Sequence, residues 1–356
     1  MDGFVPGLEG VVAVETHIAE PDRDGGALRY RGIDITDLVG HVPYEGVWGL
    51  LVDGRVDPGL VAEPLAIPRA ASGDVLADLQ SATAALCGPL GLGKLVDIGQ
   101  ERLRRELELV SATMIDAVAR LAALEAGRDP APPTGSSLAE RFLSTWRGEA
   151  PPADARAIDA YWICTAEHGL NASTFAARVV ASTGADCGAA MSAAVGALSG
   201  PLHGGAPARV LPMLDAAEAH ADLAGYVRDL LDSGERLMGF GHRVYRAEDP
   251  RARLLRETAR DLGAPRYAIA VSLEREALAE LARRKPDRVL ATNVEYWSAV
   301  VLDAAHVPGP LAPGLFACSR TAGWSAHILE QHATGRLIRP SARYVGAPAR
   351  RVASLV

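Results

Sequence analysis

The chain has 356 residues, a formal net charge of −8, 49% hydrophobic residues and 22% charged ones. The acidic balance excludes the basic footprint of a nucleic-acid binder, and no apolar run approaches the roughly 18 residues of a membrane-spanning helix. With only 5% aromatics, the core must be built mainly from Ala, Leu and Val, and the abundant Ala favours helix over sheet.

The N-terminus, Met1-Asp2-Gly3-Phe4-Val5-Pro6-Gly7, lacks the basic and apolar regions of a signal peptide. Cys87, Cys164, Cys187 and Cys318 form no CxxC pair, which argues against a zinc site and suits a reduced cytoplasm. Lys94 and Lys285 are the only lysines. Base composition accounts for most of the arginines, whereas planar, bidentate guanidinium groups suit carboxylates and phosphates at a few positions.

In chain order, Val11–Thr16 and Leu28–Gly32 alternate as a small β-ribbon would, with turns around Asp24-Gly25-Gly26. Apolar residues then recur at helical spacing through Ile35–Val39 and Tyr44–Leu51. The stretch from about 75 to 125 reads as helices. Its clearest part, Arg102–Leu124, places Leu103, Leu107, Val110, Met114, Val118 and Leu121 on one core-facing side. Asp129-Pro130-Ala131-Pro132-Pro133 is a loop between helices. Small residues from Ala157 to Leu198 predict tightly packed helices, which end at Gly200-Pro201-Leu202-His203-Gly204-Gly205. Helices follow from about Ala208 to Ser233, broken at Met238-Gly239-Phe240-Gly241-His242. They resume from Pro250 and break again near Asn293. The last helix is predicted over Cys318–Thr334, and residues 336–356 read as an Arg-rich loop. No internal repeat is present, and the whole is mainly α.

The breaks carry the chemistry, because catalytic groups favour element ends where backbone turns sharply. His203 and His242 lie in two separate glycine-flanked breaks; either alone reads better as a structural histidine, and it is the two together that point to a site. Asp249-Pro250-Arg251 has the form of a helix start, with Asp as N-cap and Pro at the first position. That does not explain Arg243, Arg246 and Arg251 gathering cations near one break, an arrangement suited to a small polycarboxylate.

These segments resemble the citrate synthase family in its bacterial form. The resemblance rests on Gly200–Gly205, Gly239-Phe240-Gly241-His242-Arg243-Val244-Tyr245 and Asp249-Pro250-Arg251. It is joined by Leu170-Asn171-Ala172-Ser173-Thr174-Phe175, Arg339-Pro340-Ser341-Ala342-Arg343-Tyr344-Val345-Gly346, Gly7–Ala13 and Leu28–Gly32. The motifs follow the family's order over nearly the whole chain. The 2-methylcitrate synthases share them, so the resemblance specifies the reaction class more closely than the acyl group.

The resemblance implies a two-domain, mainly helical fold with a short N-terminal β-ribbon. Residues 1–203 and 306–356 would form a large domain, and 204–305 a small one. It implies condensation of acetyl-CoA with oxaloacetate to citrate and CoA, as in the tricarboxylic acid cycle, with no metal or redox cofactor. A homodimer is implied, in which Arg339 completes the neighbouring site, together with domain closure on oxaloacetate. His203 would steady the enolate oxygen, and His242 would polarise the oxaloacetate keto group. His168, Arg251, Arg320 and Arg339 would bind oxaloacetate. The loop with Leu237, Gly239 and Gly241 would hold CoA, with Arg246 on a phosphate.

The sequence departs from the family at its base. Where the family usually has Asp, this chain reads Asn293-Val294-Glu295-Tyr296-Trp297. Glu295 retains the carboxylate with one more methylene, and is expected to be the base. A catalytically weak homologue that binds CoA or a dicarboxylate is the reading this departure leaves open. After His203, the family's usual Gly-Gly-Ala-Asn-Glu is replaced by Gly204-Gly205-Ala206-Pro207-Ala208. Residues 60–125 lack the His-Pro-Met motif common in bacterial members.

Overall fold

A computed structural model describes residues 4–22, 24, 26–65, 72–204, 207–241, 248–287 and 290–350. Among the described residues there are fourteen α-helices and one three-stranded sheet, as the composition predicts. The sheet is antiparallel, in the order β1 (Ala19–Pro21), β2 (Leu28–Tyr30), β3 (Ile33–Asp34), with Ala19 opposite Tyr30 and Tyr30 opposite Ile33. The first strand therefore lies later than Val11–Thr16. That segment has the right alternation, but Val11 and Val12 are exposed, so no buried face selects it as a strand.

The helices are α1 (Tyr44–Asp53), α2 (Val75–Ala84), α3 (Cys87–Leu90), α4 (Gln100–Glu125) and α5 (Leu138–Arg147). They continue with α6 (Pro152–Thr165), α7 (Ala172–Ser182), α8 (Cys187–Leu198), α9 (Pro207–Glu218) and α10 (Leu223–Asp232). The last four are α11 (Pro250–Asp261), α12 (Tyr267–Arg284), α13 (Val294–Ala304) and α14 (Ala312–Thr334). Helix α14 starts six residues before the predicted Cys318. Pro313 falls in its first turn, where a missing N–H breaks no helical bond, so the Pro-Gly pair opens the helix.

Helix α14 is the axis of the molecule and packs on α1, α2, α4, α6, α7 and α8. The α4 stripe of Leu103, Leu107, Val110, Met114, Val118 and Leu121 is buried, as predicted. Polar pegs fix the packing. Tyr44 Oη shares its proton between the carbonyls of Cys318 and Ser319, each at 2.8 Å. Trp48 Nε1 donates to Ser111 Oγ, which lies 3.1 Å from Ser325 Oγ, so α1, α4 and α14 are tied at one level. Helices α9 to α13 pack largely on one another and meet the rest chiefly along α6, through α11 and α13.

A glycine sets one close approach. A Cβ on Gly323 would lie 2.6 Å from the Ala166 carbonyl oxygen and would also strike the Glu167 carboxylate. Gly323 therefore lets the middle of α14 press against the end of α6. One turn earlier on the same helix, Arg320 then reaches the Thr165 carbonyl.

Candidate active site

The site is assembled from four element ends. After α8 the chain turns back, with the His203 N–H donating to the Gly200 carbonyl at 2.9 Å. This presents the half-buried imidazole edge-on to Phe316 of α14. His203 Nε2 lies 2.8 Å from Ser173 Oγ. Ser173 is fully buried in the first turn of α7. Its oxygen also receives Trp324 Nε1–H at 3.2 Å and stands 2.8 Å from Asn171 Oδ1. Asn171 is the N-cap of α7, its Oδ1 accepting the Thr174 N–H at 3.1 Å. Burial, and next the Arg320 cation, push the His203 pKa down to about 4. His203 is therefore a neutral imidazole across the physiological range, able to donate through one nitrogen and accept through the other.

Arg320 is buried in α14. Its Nε donates to the Thr165 carbonyl at 2.6 Å, and its guanidinium stacks on the Phe316 ring 4.7 Å from the centroid. Arg320 Nη1 is buried without a hydrogen-bond partner, and so is Glu167 Oε2. Burial lowers the Arg320 pKa, Glu167 opposes that shift, and Arg251 adds to it. Glu167 is held by His327 Nε2–H at 3.3 Å, whose Nδ1 accepts from buried Arg178 Nη1 at 2.8 Å. A buried donor left unpaired costs about 1–3 kcal/mol, so Arg320 Nη1 marks a place where an acceptor belongs.

Asp249 caps α11 and pairs side-on with Arg251. Its Oδ1 accepts Arg251 N–H at 3.1 Å and Nε–H at 2.9 Å, and its Oδ2 accepts Nη2–H at 2.8 Å. Oδ2 also accepts the Val294 N–H at 2.9 Å, so the start of α11 is tied to the start of α13. There Asn293 caps the helix by accepting the Glu295 N–H at 3.0 Å. Burial raises the Glu295 pKa above the ordinary carboxyl value of 4.5. Arg251 opposes this shift and Asp249 reinforces it.

The second and third sequence breaks are laced together. Asn293 N–H donates to the Gly239 carbonyl at 2.9 Å, Gly241 N–H to the Ala291 carbonyl at 2.8 Å, and Asn293 Nδ2 to the Gly241 carbonyl at 2.9 Å. Gly239 sits at φ +83°, and a Cβ there would lie 2.6 Å from the Tyr296 Cβ. Only glycine serves both demands.

The structure thus links these groups in a chain of charge interactions, His203 with Arg320, Arg320 with Arg251 and Arg251 with Glu295, while Tyr161 of α6 feels both Arg320 and Glu295. His168 is half-buried in the loop that joins α6 to α7, next to Glu167. Arg339 is exposed on the extended tail after α14 and shares no described hydrogen bond or ion pair with these residues. Leu237 is buried, and the Gly239 and Gly241 backbone groups just named serve the ribbon. His242 and Arg246 lie outside the described residues, as does Arg243. An open cavity of about 640 Å³ between α6 and α11 is lined by none of His168, His203, Arg251, Glu295 or Arg320, and is not this site. Ser173 and Asp249 carry site contacts that the sequence reading did not assign. Both lie in segments that carry the family resemblance, and Asp249 was also legible as a helix cap.

A family model described as "Citrate synthase, C-terminal domain" matches residues 7–341. The chain belongs to the citrate synthase family. It is 55% identical over 352 residues to "Putative citrate synthase 2" of Mycobacterium tuberculosis, covering 97% of this chain and 94% of that one. It is 36% identical to a citrate synthase of Haloferax volcanii, covering 96% and 95%. It is also 30% identical to a 2-methylcitrate synthase of Shewanella oneidensis, covering 97% and 96%. Among solved structures, citrate synthase from Pyrobaculum aerophilum superposes with a TM-score of 0.84 at 31% identity, covering 98% of this chain and 94% of that one. Citrate synthase from Thermoplasma acidophilum, in a ternary complex with carboxymethyl coenzyme A and oxaloacetate, gives 0.85 at 26% identity, covering 99% and 100%.

Proposed function

We propose that this member of the citrate synthase family condenses acetyl-CoA with oxaloacetate, releasing citrate and CoA as at the start of the tricarboxylic acid cycle. The observation that carries the reading is Arg320 Nη1, a buried and unpartnered cationic donor beside a second arginine, a neutral histidine and a carboxylate. A buried cationic donor left without an acceptor, with a second arginine beside it, calls for an anionic ligand, and oxaloacetate is one.

Glu295 removes a methyl proton from the thioester, and His203 donates to the developing enolate oxygen. For that, the Ser173 hydroxyl turns its proton from Asn171 Oδ1 to His203 Nε2, and the His203 proton sits on Nδ1. The enolate carbon forms a bond to the keto carbon of oxaloacetate, whose carboxylates are held by Arg320, Arg251, His168 and the neighbouring subunit's copy of Arg339. His242 gives its proton to the keto oxygen, which stays on its carbon and becomes the hydroxyl of citryl-CoA. Water then cleaves the thioester to give citrate and CoA. Each step is acid–base chemistry that these side chains can carry. The Leu237–Gly241 loop and Arg246 are assigned to CoA. The shared family membership, and the carboxymethyl coenzyme A and oxaloacetate bound in the Thermoplasma structure, support this reading. Four unpaired cysteines support a reduced, cytoplasmic setting.

Glu295 has one more methylene than the family's usual Asp, and the extra group takes room beside the acyl chain. Acetyl-CoA is therefore preferred over propionyl-CoA. One methylene is worth about 1–3 kcal/mol, or roughly 10- to 200-fold. CoA release measured with each thioester and saturating oxaloacetate tests this. A higher kcat/KM for propionyl-CoA would make the protein a 2-methylcitrate synthase, and oxaloacetate binding without turnover would make it a non-catalytic binder.

Residues 1–203 and 306–356 are assigned to a large domain and 204–305 to a small one that closes on oxaloacetate, in a homodimer. Exposed Leu337, Tyr344 and Val345 on the tail that carries Arg339 support a surface covered by a second copy. Scattering should give twice the 37.3 kDa chain mass and a smaller radius of gyration with oxaloacetate. A monomer, or an unchanged radius, contradicts this part of the proposal.

A further inference from the structure

Glu274 of α12 is 5% exposed, a buried carboxylate that the acid–base steps above leave unused. Its Oε1 accepts two hydrogen bonds, from Thr292 Oγ1–H at 2.6 Å and from Trp297 Nε1–H at 2.9 Å. The two donors stand on either side of Glu295 in the chain. The 2.6 Å contact is the short, strong kind that an ionised acceptor makes. The Glu274 charge is balanced at Oε2, 3.3 Å from Arg256 Nη1, and the Arg256 guanidinium lies 5.6 Å from the centroid of the Trp297 ring. One turn earlier on α12, the Ala270 carbonyl accepts Tyr296 Oη–H at 2.7 Å. Helix α12 thus holds Thr292, Tyr296 and Trp297, all buried. At about 100° per residue, Glu295 lies about 200° round α13 from Trp297, on the side turned away from that grip.

We propose that Glu274 is a positioning residue for the base: its carboxylate clasps the turn 292–297 at both ends and so sets where the Glu295 side chain is presented. The inference rests on the assignment of Glu295 as base in the function proposed above. Glu274 acts through its bonds and not through its field. The charged neighbours that Glu295 senses are Arg251 and Asp249, whereas Glu274 has its own counter-ion in Arg256. The ribbon bonds and the Asn293 cap fix the backbone as it enters α13. Glu274 ties that entry to the helical turn that follows the base, so the two cannot shift independently.

Glu274→Leu removes the acceptor, and Glu274→Gln preserves it, because an amide oxygen accepts from both O–H and N–H. For each variant the readouts are turnover with acetyl-CoA and oxaloacetate, oxaloacetate affinity by calorimetry, and amide hydrogen exchange along α13. Glu274→Leu should lower kcat about 10²-fold, the cost of a misplacement of about 1 Å, with the oxaloacetate Kd within about twofold of wild type. Amides 294–297 should exchange faster in it, while amides 299–304 stay protected. Glu274→Gln should retain most of the rate and all of the protection. Placed in the Glu295→Gln background, Glu274→Leu should cost little further rate, since no base is left to misplace; a merely structural role would add its full loss. Wild-type kcat in Glu274→Leu, an equal loss in Glu274→Gln, or a fully additive loss in the double variant overturns the proposal. If Glu274→Leu does not fold, Thr292→Val and Trp297→Phe each remove one donor. Each should lower kcat while the oxaloacetate Kd holds, and unchanged kcat in both overturns the proposal. An inert wild-type enzyme would sink the proposed condensation by itself. Amide exchange at 294–297 needs no turnover, and exchange that stays at the wild-type rate in Glu274→Leu would still overturn the clasp.

Discussion

Glu295→Gln should lower kcat by about 10²–10⁴-fold, the usual range for losing a positioned acid–base group, with little change in oxaloacetate affinity. The substitution is nearly isosteric, and the amide cannot accept a proton. Glu295 begins α13 with its backbone N–H on the Asn293 cap, so the helix start survives the change. Glu295→Asp retains a carboxylate set one methylene back. A misplacement of about 1 Å costs on the order of 10²-fold, so its rate should fall short of wild type and exceed that of the Gln variant. The same assignment fixes the pH profile. Burial raises the Glu295 pKa above 4.5, so kcat/KM falls as pH drops through that raised value and the base is protonated. His203, already pushed down to about 4, stays neutral over this range. Steady-state rates between pH 5 and 8 check both points. Equal rates in the wild-type and Gln proteins would remove Glu295 as the base.

Arg320→Met should weaken oxaloacetate binding by about 2–5 kcal/mol, the range for truncating one side of a buried, hydrogen-bonded charge pair. That is on the order of 30- to 4,000-fold. Methionine preserves much of the contact with Phe316 but cannot donate to the Thr165 carbonyl or to a substrate carboxylate. The variant should also be less stable, because Glu167 loses the cation that faces it and a buried charge stripped of its partner typically costs about 3–5 kcal/mol. Glu167→Gln added to Arg320→Met should recover most of that stability and none of the oxaloacetate affinity. Calorimetry and denaturant melts separate the two effects. If the double variant regains affinity, Arg320 acts through the fold alone.

What the sequence revealed followed physical range. The α4 stripe and the Asp249 cap of α11 are governed by neighbours within a turn or two, and spacing alone exposes them. The three breaks were visible because glycine and proline interrupt helix in any context. Their assembly was not visible. His203 meets Ser173 across 30 positions, Arg320 meets Thr165 across 155, and the ribbon joining Gly239–Gly241 to Ala291–Asn293 spans about 50. Such contacts depend on tertiary approach, as at Gly323, and no local periodicity encodes them. The same reason explains the misplaced first strand. Val11–Thr16 alternates correctly, but it has no core beside it, whereas Leu28 and Tyr30 do. The early start of α14 was hidden by Pro313, which reads as a breaker unless it falls in a first turn.

The most direct measurement is to supply the wild-type protein with oxaloacetate and [methyl-13C]acetyl-CoA and follow the label by NMR while counting free CoA. The proposed mechanism requires the label to appear in a methylene of citrate, one citrate for each CoA released, and only when oxaloacetate is present. CoA release that leaves the label in acetate, or no transfer of label in the presence of oxaloacetate, would contradict it.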